Sequence, residues 1–410
     1  MKRILTIALC LITSLCGLAQ SLEVTVTNPM KGQRNDVPVV INIQKHHARS
    51  ATVTLGTKEI PCQLDDLNGD GIFDELCFLA DFSDKGKQIY KVALSSRGEM
   101  RNYPARVYAE MLLNHPKQKN QRQTNYISSL TTEGNADIYN CLQHHGPAFE
   151  SELAAYRIYF DKRQTVDIYA KYHKGLELHQ TQFYPTREEL NEGFGDDCLW
   201  VGSTLGLGTL RGWNGEKPTF LDDVKSRTER IIAYGPLRTI VEVVDEKWNT
   251  GNVGRNEVNM TTRYTLYGGH RDVQVDITLQ DAQCSPAEDG YTLCTGIINV
   301  KNSTEYTDDK GLRGCWGTDW PVSEKDSIGH KRETVGLGIC IPPKYLLKQL
   351  PKDKDNYAML VTPQNGELHY NICFASDNED FGYHSDKAFY AFLKEWRKGL
   401  DNPVKITIGN

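Results

Sequence analysis

Strict alternation of apolar and polar residues recurs along this chain, and no other feature restricts its fold as much. Val273, Val275, Ile277 and Leu279 are separated by Gln274, Asp276 and Thr278, and Leu22, Val24 and Val26 repeat the pattern near the start. Successive side chains of an extended strand point to opposite faces, so such segments read as half-buried antiparallel strands. Met260 to Tyr267, Gly268 with Gly269, and Asp272 to Gln280 read as one long hairpin, because a tight reversal needs the positive φ that glycine supplies. Further strands are expected over 37–43, 51–55, 75–82, 88–94, 155–160, 164–173, 176–183, 237–244, 292–298, 334–341, 357–362 and 368–374. So many strands with so few helices between them exclude a doubly wound α/β sheet and predict an all-β fold, a large antiparallel β-sandwich. One helix is signalled near the end, where Ser385 can cap and Phe389, Phe392, Leu393 and Trp396 recur at helical spacing before Gly399 and Pro403. The polar stretch 113–136 is expected to be a long loop.

Lys2 and Arg3, the apolar run from Ile4 to Leu15, and the small Gly17 and Ala19 before Gln20 have the three-part pattern of an export signal over 1–19. The run is too short to span a bilayer, so the mature chain is expected in the periplasm, with lipid anchoring at Cys16 or full secretion as alternatives. Residues 20–100 are expected to form an N-terminal sandwich region, and 101–410 a large sandwich that carries the site. A net charge of -6 with scattered Lys and Arg gives no footprint for nucleic acid. Export permits disulfides, and Cys62 with Cys77 or Cys284 with Cys294 are the pairs nearest in sequence.

Four constellations could carry chemistry. Asp66, Asn68, Asp70 and Asp74 place oxygen ligands at alternate positions around a glycine turn, which suits a structural Ca²⁺, although an acidic hairpin turn would use the same residues. His144, His145, Glu150 and Glu152 crowd two imidazoles and two carboxylates around Gly146-Pro147, which forbids regular structure. Tyr169, Lys171 and His173 fall on one strand face opposite Val166, Ile168 and Ala170, and Arg157 and Tyr159 share a face of the preceding strand, so Arg157 can join Lys171 as a carboxylate anchor. Trp316, Asp319 and Trp320 set two indoles around a carboxylate in a loop containing Gly and Pro, as sugar stacking would require. Gln180, Gln182 and Tyr184 and the turn Gly193 to Asp197 add polar groups. There is no GxSxG, HExxH, Walker loop or dinucleotide glycine fingerprint, which favours acid and base chemistry without an organic cofactor.

Whole phrases then become recognisable: Gln63 to Gly71, Arg106 to Met111, His144 to Glu152, Gln182 to Thr186, Gly206 to Leu210 and Gly314 to Pro321. They resemble the proteins grouped as domain-of-unknown-function family 4861, across essentially the whole mature chain. That family looks similar to an oligosaccharide dehydratase of polysaccharide-utilisation clusters that acts on ulvan fragments. The resemblance implies a hydro-lyase that removes water across C4 and C5 of a non-reducing-end uronic acid, with an acidic oligosaccharide as the partner and no membrane span.

Such an elimination needs three things: the carboxylate neutralised, the C5 proton taken and the C4 hydroxyl protonated as it leaves. Arg157 or Lys171 is expected to do the first, and His144, His145 or Tyr169 the second. The other imidazole or a nearby hydroxyl would do the third. Glu150, Glu152, His173, Gln182, Tyr184, Trp316, Asp319 and Trp320 are expected to bind substrate or to orient the histidines. A sugar epimerase or glycoside hydrolase on a mutarotase-like or lyase-like super-sandwich is the first alternative, and a non-catalytic glycan-binding protein the second.

Overall fold

The computed structural model describes residues 20–115, 117, 122–134, 136, 138–251, 257–281 and 290–409. The alternation between residues 22 and 94 closes a core of its own, in which Val24, Val26, Val39, Val53, Phe78 and Val92 are fully buried. Strands Lys405–Gly409, Gln20–Asn28, Gly86–Ser95, Ser50–Leu55 and Lys58–Ile60 form one sheet of this unit, in that order, and Arg34–Asn42, Glu75–Phe82 and Cys62–Asp65 the other. The register sets Cys62 opposite Phe78 and Gln63 opposite Cys77. Neighbouring residues of a strand point to opposite faces, so the expected Cys62–Cys77 disulfide is corrected: the two thiols lie on opposite sides of the sheet, and both are free. The other candidate pair includes Cys284, which lies outside the described residues.

The rest of the chain builds the all-β sandwich that the alternation predicts. Its spine is a nine-stranded antiparallel sheet, Ser129–Glu133, Ser226–Tyr234, Arg238–Trp248, Val258–Tyr267, Asp272–Gln280, Glu367–Ser376, Glu333–Cys340, Leu312–Asp319 and Thr304–Thr307 in order. Two five-stranded sheets cover it. One holds Val107–Glu110, Ala148–Ser151, Ala155–Ile158, Val166–Ala170 and Asp196–Asp197, and the other is centred on Leu293–Ile298 and Asn356–Val361. Phe149, Tyr156 and Ile168 from the first, Leu293 and Met359 from the second, and Val241, Val275 and Ile339 from the spine share one buried core. Among the described residues no helix is long and apolar enough to cross a membrane.

The expected hairpin is present, with Val258–Tyr267 paired to Asp272–Gln280. Only Gly269 takes a positive φ there, 74°. Gly268 serves close approach instead, since a Cβ on it would lie 2.6 Å from that of Arg106. The C-terminal helix runs over Asp386–Asp401, capped by the Ser385 hydroxyl, which accepts from Ala388 N at 3.2 Å. It seats on glycines: a Cβ on Gly314 would lie 2.4 Å from Leu393, and one on Gly336 2.6 Å from Phe389. The Gly-containing segment around Trp316 is therefore a strand with a helix pressed against it, rather than an open loop.

Two expected elements differ. The segment 176–183 is not a strand; it contains the helical turn Leu178–Thr181, followed by Gln182 and Phe183 at φ 46° and 68°. The stretch 113–136 includes the strand Ser129–Glu133, which reads as loop because an edge strand with one exposed face has little apolar content.

Candidate functional site

Register decides which polar groups meet. In the sheet of Ala148–Ser151, Ala148 lies opposite Glu110 and Arg157, Arg157 opposite Asp167, and Tyr169 opposite Ala155 and Asp197. Alternation therefore gathers Glu110, Glu150, Arg157, Asp167, Tyr169, Lys171 and Asp197 on one face, while Phe149, Tyr156 and Ile168 point into the core. The predicted polar face exists, but much of it is roofed by the segment around Leu178 and Phe183, which pack with Ala148, Ala155 and Tyr169.

Under that roof the groups satisfy one another. Lys171 donates to Glu150, to Ser151 O at 2.8 Å and to Gly175 O, which engages all three ammonium protons. Glu150 also accepts from the backbone of Glu177 and Leu178, each at 2.8 Å. The Tyr169 hydroxyl lies 2.6 Å from Gly195 O and 3.0 Å from Glu177. Glu152 accepts from Arg106 Nε at 2.6 Å and from Gly269 N at 2.7 Å, and Arg106 also grips Asp36, so this carboxylate belongs to the joint with the N-terminal sandwich. His173 is exposed at the far end, 2.7 Å from Asp380. The structure does not bring these five residues to an open cleft.

Arg157 is different, because its network reaches solvent. Its Nε and Nη2 donate to Asp167 at 2.9 and 2.6 Å, Nη2 also to Asp197 at 2.7 Å, and Nη1 to the Tyr184 hydroxyl at 2.8 Å, with the guanidinium 4.3 Å from the Phe183 ring. Tyr159 donates to Asp167 at 2.6 Å. A guanidinium has five N–H groups, so one proton on Nη1 has no partner among the described residues. Burial, reinforced by the charge of Asp167, pushes the Asp197 carboxyl well above the usual range.

The histidine pair reaches the same place from the short helical turn that precedes strand Ala148–Ser151. A Cβ on Gly146 would lie 1.8 Å from the carbonyl of Ile158, so only glycine lets this segment lie flush against the Arg157 strand. His144 and His145 before it both take left-handed backbone, φ 61° and 64°, a conformation that non-glycine residues adopt at a cost of about 1–2 kcal/mol each. They then part. His144 is fully buried with Nε2 2.9 Å from Glu110, and its Nδ1 has no partner among the described residues. The His145 ring stacks on Tyr139 with centroids 3.7 Å apart and meets the edge of Tyr159.

His145 Nδ1 lies 2.9 Å from the Tyr139 carbonyl, which can only accept, so Nδ1 carries the proton of the neutral ring and Nε2 bears a lone pair. Burial pushes the His145 pKa down to about 4, and the charges of Arg157 and Arg163 act in the same direction. Arg163, held by Asp161, stands 4.7 Å from the Tyr139 ring and 5.0 Å from the Tyr159 ring.

Two depressions border this cluster. One, of about 830 Å³, is lined by Tyr184, Gln182, Gln143, Asn114, Arg122 and Glu189 among others. Gln182 is pinned there by Gln123, whose N donates to its side chain at 2.8 Å and whose O accepts at 2.9 Å. The other, of about 610 Å³, is lined by Tyr139, Arg163, Asp161 and Arg227 among others. Sequence reasoning missed Tyr139, Arg163 and Asp167, and took Asp197 only as one of the polar groups of the turn Gly193 to Asp197. Asp167 carried a usable signal, as the one charge inside the run from Val166 to Ala170.

The other predicted constellations lie apart. Trp316 packs against Phe389 of the C-terminal helix at 5.7 Å and is occupied in that core. Asp319 accepts from Trp320 N at 2.8 Å and Lys301 N at 3.2 Å, closing its own turn. In the acidic loop, Asp66 accepts from Gly69 N and Gly71 N at 2.7 Å each, Asp70 from Ile72 N at 2.8 Å and Asp74 from Leu67 N at 2.7 Å, while Asn68 accepts from Asp70 N. Among the described residues no three His, Cys, Asp or Glu side chains converge as metal ligands, and the carboxylates of this loop cap its own backbone.

A search of curated proteins gave no match. Among solved structures, the chain is similar to an alpha-mannosidase from Enterococcus faecalis V583, at 10% identity and a TM-score of 0.42, over 95% of this chain and 46% of that one. A protein in glycosyl hydrolase family 38 from Enterococcus faecalis is similar at 10% identity and a TM-score of 0.42, over 95% of this chain and 47% of that one. The chain thus spans about half the length of either structure. The model of the family described as "Domain of unknown function (DUF4861)" matches residues 26–406, and the chain belongs to that family.

Proposed function

We propose that the protein is an exported carbohydrate-active hydro-lyase that eliminates water across C4 and C5 of a uronic acid at the non-reducing end of an acidic oligosaccharide. The observation that carries this reading is the Nε2 of a neutral His145, which has no hydrogen-bond partner among the described residues and is set beside two cations. The C5 proton is weakly acidic until the adjoining carboxylate is neutralised. Arg163 and the uncommitted Nη1 proton of Arg157 supply that neutralisation, and His145 Nε2 takes the C5 proton. Tyr184 accepts from Arg157 through its oxygen, so its own O–H is left to protonate the departing C4 hydroxyl. One C–H and one C–O bond break, a C4–C5 double bond forms and water leaves. Asp167 and Asp197 keep Arg157 in place. His144 positions its neighbour from the buried side, through Glu110.

The test is incubation with oligosaccharides that end in a saturated uronic acid. Loss of one water in the mass spectrum, with the absorbance of a conjugated unsaturated uronate, is expected from the wild type and not from His145→Gln. Intact substrate after incubation, or equal turnover by the variant, would overturn the reading, and binding without conversion would mark a glycan-binding protein.

A further inference from the structure

Aromatic side chains that are large and exposed in an otherwise well-packed chain ask for an explanation. Trp200 is 47% exposed, three residues beyond Asp197 and so about 10 Å along the chain from the Arg157 network. Its backbone N donates to Trp320 O at 3.0 Å, which ties this segment to the one after strand Leu312–Asp319. The Arg332 guanidinium stands 5.0 Å from the Trp320 ring. His330, Lys331 and Arg332 are consecutive and exposed. Two carboxyls, Asp196 and Glu333, also face this ground, and burial holds both above the usual carboxylate range, which weakens their opposition to an anion.

We propose that Trp200, Trp320 and the run His330-Lys331-Arg332 form a platform for the second and later residues of an anionic oligosaccharide. This rests on the reading above, in which the terminal uronic acid lies at Arg157 and His145. Indole faces pack on the C–H faces of pyranose rings, and the adjacent cations Lys331 and Arg332, with the imidazole of His330 beside them, complement carboxylate or sulfate groups on those rings. Arg157 holds Asp197, and Trp200 follows Asp197 by three residues, which sets the platform beside the Arg157 network. Trp316 belongs to the helix-packing core, so the platform does not include it.

The experiment measures binding calorimetrically in a His145→Gln background, so that nothing is turned over. The probes are a sulfated, uronate-containing tetrasaccharide and the disaccharide from its non-reducing end. Adding Trp200→Ala or Arg332→Ala is expected to weaken tetrasaccharide binding by about tenfold each while leaving the disaccharide within about twofold. Arg332→Ala is expected to flatten the salt dependence as well. Both side chains are exposed, and circular dichroism checks that the variants stay folded. Unchanged tetrasaccharide binding, or equal losses for both probes, would overturn the platform. The elimination chemistry is read separately, from product formed by the wild type. Length-dependent losses without any product would uphold the platform and sink the hydro-lyase; product with no length dependence would do the reverse.

Discussion

The ammonium of Lys171 and the carboxylate of Glu150 meet with no exposed surface on either side chain. Breaking such a pair from one side leaves an uncompensated buried charge. Lys171→Met is therefore expected to lower the unfolding free energy by about 3–5 kcal/mol in a denaturant titration. The folded fraction should keep the wild-type KM, because this ammonium does not reach the cleft. A variant of normal stability with abolished turnover would instead make Lys171 a substrate ligand.

The pH profile distinguishes His145 from an ordinary solvated histidine. Burial disfavours its imidazolium, so the ring stays neutral down to about pH 4. The acid limb of kcat/KM is expected near that value and not near about 6.5. His145→Asn should lose roughly 10²- to 10⁴-fold in kcat, the usual worth of a general base. A wild-type acid limb at the ordinary histidine value would remove His145 from that role.

Gly146→Ala is expected to cost roughly 3 kcal/mol and most of the activity, since the added methyl would collide with the backbone carbonyl of Ile158 and crowd the Glu229 carboxylate. Gly175→Ala makes the comparison fair: a Cβ there meets nothing within 4 Å. Thermal melts of the two variants should differ by many degrees. Equal melting temperatures would contradict the close approach that sets the histidine pair against the sheet.

His270 links the two sandwiches. Its Nδ1 lies 3.0 Å from Asp272 and its Nε2 2.8 Å from Asp36 O, so both nitrogens face acceptors and the doubly protonated ring satisfies both. Burial opposes that charge, but Asp272 and the Asp36 carbonyl outweigh it and the pKa is raised. The stabilisation is therefore complete below the unfolded histidine value of about 6.5 and is lost as pH rises through the higher folded value. Stability curves of the wild type should decline across that window, and those of His270→Gln should stay flat through it. Parallel curves would exclude the linkage.

The legible part of this fold was its strand content. Alternation located Asp272–Gln280 to the residue, because one face of it is buried and the pattern has a period of two, and the expected bounds 75–82 also match the strand Glu75–Phe82. The common polar face of Arg157, Tyr169 and Lys171 followed from the same rule. What alternation could not say is which part of that face is roofed. Coverage depends on residues 177–195 folding back across the sheet, and that contact is set by Leu178 and Phe183 meeting Ala148 and Tyr169 from far along the chain. Nor does adjacency in sequence fix direction: His144 and His145 are neighbours, yet two left-handed residues in succession aim one at Glu110 and the other at Tyr139. The glycines around Trp316 resembled a loop because the helix they accommodate lies some seventy residues later.

The strand Lys405–Gly409 pairs with Gln20–Asn28, so a sheet of the small sandwich is completed by a segment that follows the large sandwich in sequence. Until then Gln20–Asn28 has a bare edge, with unpaired backbone donors and acceptors open to any extended segment nearby. The small sandwich therefore closes that edge only when the segment after the large sandwich is in place, and a detached Lys405–Gly409 leaves Gln20–Asn28 open to mispairing.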